Sequence, residues 1–180
     1  PPMMGAVGEM DQLQMKPDTS QAEEFLLEEF LPYELSVAAN RMSRLFARRY
    51  SAEFGLSIAE WRVMAVVGRF GELSPGGVAE RTEMDKVKVS RAAAALVAAG
   101  LLAQLPDPED GRARRLLLTA RGAQVHQAII PRARALEAQL SEGMSAAEWD
   151  VLRDLVRRLT RYTRRLDEAE PPARAATSPE

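Results

Sequence analysis

The 180-residue sequence predicts a mainly α-helical chain with one small β-hairpin. Three observations carry this. Apolar residues recur at three-to-four spacing through most of residues 30–166, the period of an amphipathic helix. That period breaks once, around residues 101–118, where two short apolar runs flank a cluster of Pro, Asp and Gly. Residues that start and stop helices stand at the ends of the periodic segments.

The first helix is expected from about Pro32, tolerated in a first turn, to about Glu53, with Leu35, Ala39, Met42, Phe46 and Tyr50 on one stripe. Ser57-Ile58-Ala59-Glu60 has the form of a capping box, in which serine oxygen and glutamate satisfy orphan amides at a helix start. Trp61, Met64 and Val67 then face inward, and Gly71 closes the helix. A short third helix begins at Ser74 with Pro75 in its first turn. Asp85 caps a fourth that ends at Gly100; Ala92 to Ala95 allow close packing, while Lys86, Lys88, Ser90 and Arg91 load its first half with donors. Such donors suit phosphates and base edges in a major groove.

Leu101–Leu105 and Arg112–Thr119 form the expected hairpin around Pro106-Asp107-Pro108-Glu109-Asp110-Gly111. Thr119 or a neighbour caps a helix with Val125, Ile129, Ala133, Leu136 and Leu140 on one face. A second capping box, Ser145 to Glu148, opens a last helix with Trp149, Leu152, Val156, Leu159, Tyr162 and Leu166 in register. So long an apolar stripe needs a partner surface, and a second copy of the chain is the economical choice.

A net charge of −2 conceals an uneven distribution. Residues 1–30 set Glu9, Asp11, Asp18, Glu23, Glu24, Glu28 and Glu29 against Lys16, and residues 167–180 set four carboxylates against Arg174, so residues 31–166 carry +7. A basic body between acidic ends fits a polyanionic partner, although arginine also simply solvates helix faces.

Cysteine is absent and His126 is the sole histidine, which removes disulfides, thiolate chemistry and most transition-metal sites. No cofactor or metal is expected. Gly76-Gly77 lacks the Gly-Lys-Ser/Thr ending of a phosphate loop, and no Gly-x-Ser-x-Gly elbow is present, so an enzyme is not expected. No apolar run is long enough to span a membrane, and the first residues lack the order of a secretory signal, so the expectation is a cytoplasmic protein.

Three helices with the donor-rich one third, an arginine-rich hairpin, and long outer helices make an ordered set. Asp110-Gly111-Arg112, then Leu116-Leu117-Leu118-Thr119 and Gly122, with Gly100-Leu101-Leu102 before them, resemble the wing signature of the MarR family of winged helix-turn-helix regulators. The resemblance runs over about residues 30–166. It implies a winged helix-turn-helix fold in a two-fold dimer, recognition helices in successive major grooves of a pseudo-palindromic double-stranded DNA operator, and wings at the flanking minor grooves. On the matching positions the implied DNA contacts are Ser74, Lys86, Lys88, Ser90 and Arg91, with Asp110 bracing Arg112 and with Arg114 and Arg115 beside it. Glu109 departs from a purely basic tip.

The implied organisation is an acidic flexible tail over 1–29, a dimerisation helix over 30–56, the DNA-binding winged helix over 57–120, dimerisation helices over 121–167, and a second flexible tail over 168–180. The resemblance also implies a small anionic effector, often aromatic, that switches DNA binding. Arg41, Arg44 and Arg48 form a row at three-to-four spacing that could meet it, though Glu34 and Glu53 offer ordinary ion pairs. Tyr33, Asn40, Trp61 and His126 are further candidates, with core packing the plainer role for Trp61 and an edge position for His126. Leu31-Pro32-Tyr33-Glu34-Leu35 with Asn40-Arg41 is similar to regulators of aromatic-acid catabolism, including sensors of aryl-CoA thioesters. A repressor released by its ligand is therefore expected; the rival is a winged-helix protein-interaction module without specific DNA binding.

Overall fold

Helix starts in the structure follow side-chain capping. In the computed structural model, which describes residues 25–108 and 113–170, each helix that follows Phe54 opens on a residue whose oxygen accepts from a first-turn amide. The acidic tail as far as residue 24, the tail from 171, and the wing-tip residues Glu109, Asp110, Gly111 and Arg112 lie outside the described residues.

The chain divides into two compact units, Pro1–Arg41 and Met42–Glu180, and α1 (Leu31–Phe54) begins in the first and ends in the second. In the first, a short turn precedes the expected helix start. Residues Leu27–Glu29 form a 3-10 turn, and the rings of Phe25 and Phe30 meet edge-on with centroids 5.3 Å apart. Phe25, Leu27, Phe30 and Leu31 are nevertheless exposed.

The second unit continues with α2 (Ile58–Phe70), α3 (Pro75–Thr82), α4 (Lys86–Ala98), β1 (Leu102–Pro106), β2 (Arg114–Leu118), α5 (Ala120–Ser141) and α6 (Ala146–Ala169). Both expected capping boxes form: Ser57 Oγ accepts from Glu60 N at 3.2 Å while Glu60 accepts from Ser57 N at 2.8 Å, and Ser145 and Glu148 repeat the pattern. Gly71 ends α2 at φ 80°, a left-handed conformation that a side chain would strain. Helices α2, α3 and α4 pack on one another and on the hairpin. Their apolar stripes supply Val63, Met64, Val67, Val78, Val89 and Leu96 to a core completed by Tyr50, Leu102, Leu116 and Ile129. Burial of each such side chain is worth about 1.5–3 kcal/mol against exposure, so this core fixes the angle at which α4 is presented.

The antiparallel hairpin pairs Leu102 with Leu118 and Pro106 with Arg114. A third segment joins it. Leu73, ahead of α3, exchanges both backbone hydrogen bonds with Leu116, at 3.1 and 2.8 Å, and ties the hairpin to the α2–α3 connection. At the other end Thr119 closes the joint between hairpin and α5. Its Oγ1 donates to Gly100 O at 2.8 Å and accepts from Gly122 N at 3.0 Å. Helix α5 runs through Pro131, which is exposed and removes one hydrogen bond of the ladder.

Helix α6 buries none of its residues. Leu152, Leu155, Leu159, Tyr162 and Leu166 stand exposed at alternating three-and-four spacing, the seam of a helix that pairs with another. Among the described residues, no helix is long and apolar enough to cross a membrane.

Candidate nucleic-acid interface

The chemistry of α4 follows from which side faces the core. At about 100° per residue, Val89, Ala92, Ala93 and Leu96 fall on one stripe, and all four are buried. Val87, Ser90 and Arg91 lie on the opposite side, flanked by Lys86 and Lys88, and all five are exposed. Asp85 Oδ1 accepts from the amides of Val87 at 2.8 Å and Lys88 at 3.0 Å. The first-turn amides are therefore satisfied internally, and the face offers side chains instead. Positive charge at a helix start opposes the helix dipole, which Asp85 offsets. Lys86, Lys88 and Arg91 have no ion-pair partner among the described residues, so their charge is available to a polyanion.

Ser74 caps α3 through its oxygen, which accepts from Gly77 N at 3.0 Å; its hydroxyl proton stays available as a donor.

The two described wing arginines differ. Arg115 Nε donates to Asp107 Oδ2 at 2.7 Å, and its Nη1 lies 3.8 Å from Glu72 Oε2, so it ties the outer end of the hairpin to the segment after α2. Arg114 is exposed and has no ion-pair partner among the described residues. Of the two described wing arginines, Arg114 is the one left to a partner; Asp110 and Arg112 lie outside the described residues. Arg115 pairs with Asp107 across the hairpin and with Glu72 of a separate segment, and no local signal marks it.

The effector candidates divide between the two units. Tyr33, Asn40 and Arg41 are exposed on α1 within the first unit. In the second, Arg44 and Arg48 are exposed on the side of α1 away from Phe46 and Tyr50. Glu53 pairs with Arg132 of α5 rather than with this row. Trp61 and His126 meet on the other side. Their rings stack at 5.8 Å and 24°, and Trp61 also contacts Phe46 at 5.7 Å and Tyr50 at 5.8 Å. His126 lies flat on Gly68, where a Cβ would fall 2.7 Å from its Nε2. Burial holds the His126 pKa below its ordinary value, and burial also pushes the Tyr50 hydroxyl up to about 12 against the opposing pull of Arg62. Both rings are neutral at pH 7 and serve as packing. No group of three or more metal-ligating residues occurs among the described residues.

A core of three short helices, a donor-rich third one facing outward, and a hairpin closing on the same unit define a winged helix-turn-helix. Residues 54–113, from the end of α1 to the residue before β2, match the model of the MarR family, in line with the resemblance carried by the wing signature. Solved structures share the fold. A probable transcriptional regulator from Pseudomonas aeruginosa is 26% identical with a TM-score of 0.66, over 74% of this chain and 99% of that one. BpsR of Bordetella bronchiseptica, described for regulation of its DNA binding by 6-hydroxynicotinic acid, is 24% identical with a TM-score of 0.69, over 77% and 98%. PcaV of Streptomyces coelicolor, solved with its natural ligand, is 24% identical with a TM-score of 0.67, over 83% and 100%. A comparison with curated proteins returned no match.

Proposed function

We propose that the chain is a sequence-specific DNA-binding regulator acting as a homodimer on a pseudo-palindromic double-stranded operator. The observation that carries this is the outward face of α4, where Lys86, Lys88, Ser90 and Arg91 stand together opposite the buried stripe with their charges unpaired within the described chain. Side chains on such a face reach base edges and phosphates when the helix enters a major groove. Ser74 and Arg114 add phosphate contacts, and Asp110 and Arg112 are further candidates for DNA contact. Residues 57–120 form the DNA-binding domain. Residues 30–56 and 121–167 supply the dimer, supported by the exposed seam of α6. A cytoplasmic location accompanies a role at DNA.

The regulator is proposed to be a repressor released by a small organic anion, an aromatic acid or its CoA thioester, in control of aromatic-compound catabolism. Arg44 and Arg48 are the groups proposed to meet the anion, because they carry no ion pair among the described residues. Trp61 and His126 act on the opposite side of α1 by packing, and Tyr33, Asn40 and Arg41 are candidates within their own unit. A ligand switches such a protein only by preferring the state that does not bind DNA, and operator DNA must then weaken the ligand by the same factor. The test follows operator release by fluorescence anisotropy during titration with aromatic carboxylates and their CoA thioesters. Release by one of them, lost in Arg44→Ala and Arg48→Ala, is the expected result. Release by metal ions or peroxide instead overturns the effector assignment.

A further inference from the structure

An exposed position on the outward face of α4 is held by a hydrocarbon. Val87 is 57% exposed, in the first turn, on the side opposite the buried Val89, Ala92, Ala93 and Leu96. Its neighbours on that face are Ser90 and Arg91, three and four residues on, with Lys86 and Lys88 to either side. Valine gains nothing from helix propensity at such a site, and water offers it nothing. The core does not use it. Every other exposed residue in this half of the helix is a hydrogen-bond donor. Farther along the same ridge Ala94 and Ala98 are exposed and too short to hold a surface away.

A major groove offers one apolar mark among its donors and acceptors, the C5 methyl of thymine. We propose that Val87 reads a thymine in each half-site by packing on that methyl, while Arg91 beside it addresses an adjacent base edge and the flanking lysines hold phosphates. The assignment rests on the DNA-binding role proposed above and adds a specificity-determining residue to it. The stiff, branched side chain suits the task, because its methyl groups are fixed relative to the helix and little rotamer freedom is lost on contact. Burying one methyl corresponds to about fourfold in affinity per half-site, and about fifteenfold when both half-sites change.

The experiment removes only the methyl. The full chain enriches its sites from random double-stranded DNA, and each thymine of the enriched sequence is then replaced in turn by deoxyuridine, which keeps every hydrogen-bonding group. Wild type is expected to lose about fourfold in affinity at one thymine per half-site. Val87→Ala, at an exposed position where folding is unaffected, is expected to bind the thymine and uracil duplexes alike. If an enriched sequence tolerates uracil at every thymine, or if the loss is equally large in Val87→Ala, the assignment of Val87 is overturned while DNA recognition stands. If no sequence is enriched, the DNA-binding reading fails and takes this one with it.

Discussion

Gly122 is the position where a single methyl should do the most damage. It is buried in the first turn of α5, and a Cβ built there would sit 1.9 Å from the carbonyl oxygen of Leu101, 2.9 Å from its carbonyl carbon and 3.3 Å from its Cα. These are backbone atoms, so no side chain can swing aside. Relief requires α5 to move by more than an ångström from the Gly100–Leu101 turn. That movement breaks the bonds which close the joint: Thr119 Oγ1 to Gly100 O at 2.8 Å and Thr119 N to Leu101 O at 3.1 Å. Overpacking costs about 1–3 kcal/mol, and each lost hydrogen bond adds about 0.5–1.5 kcal/mol. Alanine returns up to about 1 kcal/mol in helix propensity. Gly122→Ala should therefore cost about 3 kcal/mol, or about 6–12 °C in Tm for a chain of this size. Thermal and urea unfolding followed by circular dichroism, at fixed protein concentration because the proposed dimer makes Tm concentration-dependent, measure it. Gly76→Ala is the control, since its Cβ meets nothing nearer than Ser74 Oγ at 3.8 Å; it should be neutral or slightly stabilising. A Gly122→Ala chain that melts with wild type, or a Gly76→Ala chain that loses as much, would refute the packing argument.

Two further outcomes follow from exposed and half-buried groups. Leu159→Glu places a carboxylate on the α6 seam of both copies, and losing two buried leucines at about 1.5–3 kcal/mol each should weaken self-association more than a hundredfold in sedimentation; a wild-type chain already monomeric at micromolar concentration would contradict the dimer. His126, held below its ordinary pKa by burial, favours the neutral ring in the folded state. The unfolded ring titrates near pH 6.5, so its contribution is full above that value and is lost as pH falls toward the lower folded-state pKa. Tm should decline as pH falls through about 6.5, less steeply in His126→Phe, which keeps a ring against Trp61; equal slopes would exclude His126 as the cause.

Local signals carried most of the fold. The Ser57–Glu60 and Ser145–Glu148 boxes, the Asp85 and Thr119 caps and the Gly71 stop are interactions within four residues, and each formed where the pattern placed it. The outward donors of α4 were legible for the same reason, because helical period alone sorts them from Val89 and Leu96. What escaped depends on distance in the chain. The bridge from Leu73 to Leu116, the clamp of Arg115 by Asp107 and Glu72, and the stack of Trp61 on His126 each join separate elements. Sequence could not tell Arg114 from Arg115, since adjacent strand residues differ only in which face they present. It also gave no reason for the glycine three residues after Thr119, which is the approach of the Leu101 carbonyl. Helical period sets Val87 opposite Val89 as well, but that an apolar residue there is left uncovered shows only in its exposure.

The central claim is that α4 and the wing bind DNA through unpaired cations, and the salt dependence of affinity tests it most directly. With a site enriched by the chain itself, Kd is measured by anisotropy across a salt series for wild type, Arg91→Ala, Arg114→Ala and Arg115→Ala. Wild-type affinity should fall steeply with salt. Arg114→Ala should flatten the log-log slope by about 0.9 for each phosphate contact removed. Arg91→Ala should cost about 1–3 kcal/mol per half-site on the enriched sequence and much less on unrelated DNA. Arg115→Ala, whose charge is engaged by Asp107 and Glu72, should lower Tm and leave the slope nearly unchanged. Wild-type affinity indifferent to salt, with Arg91→Ala and Arg114→Ala indistinguishable from it, would contradict the account.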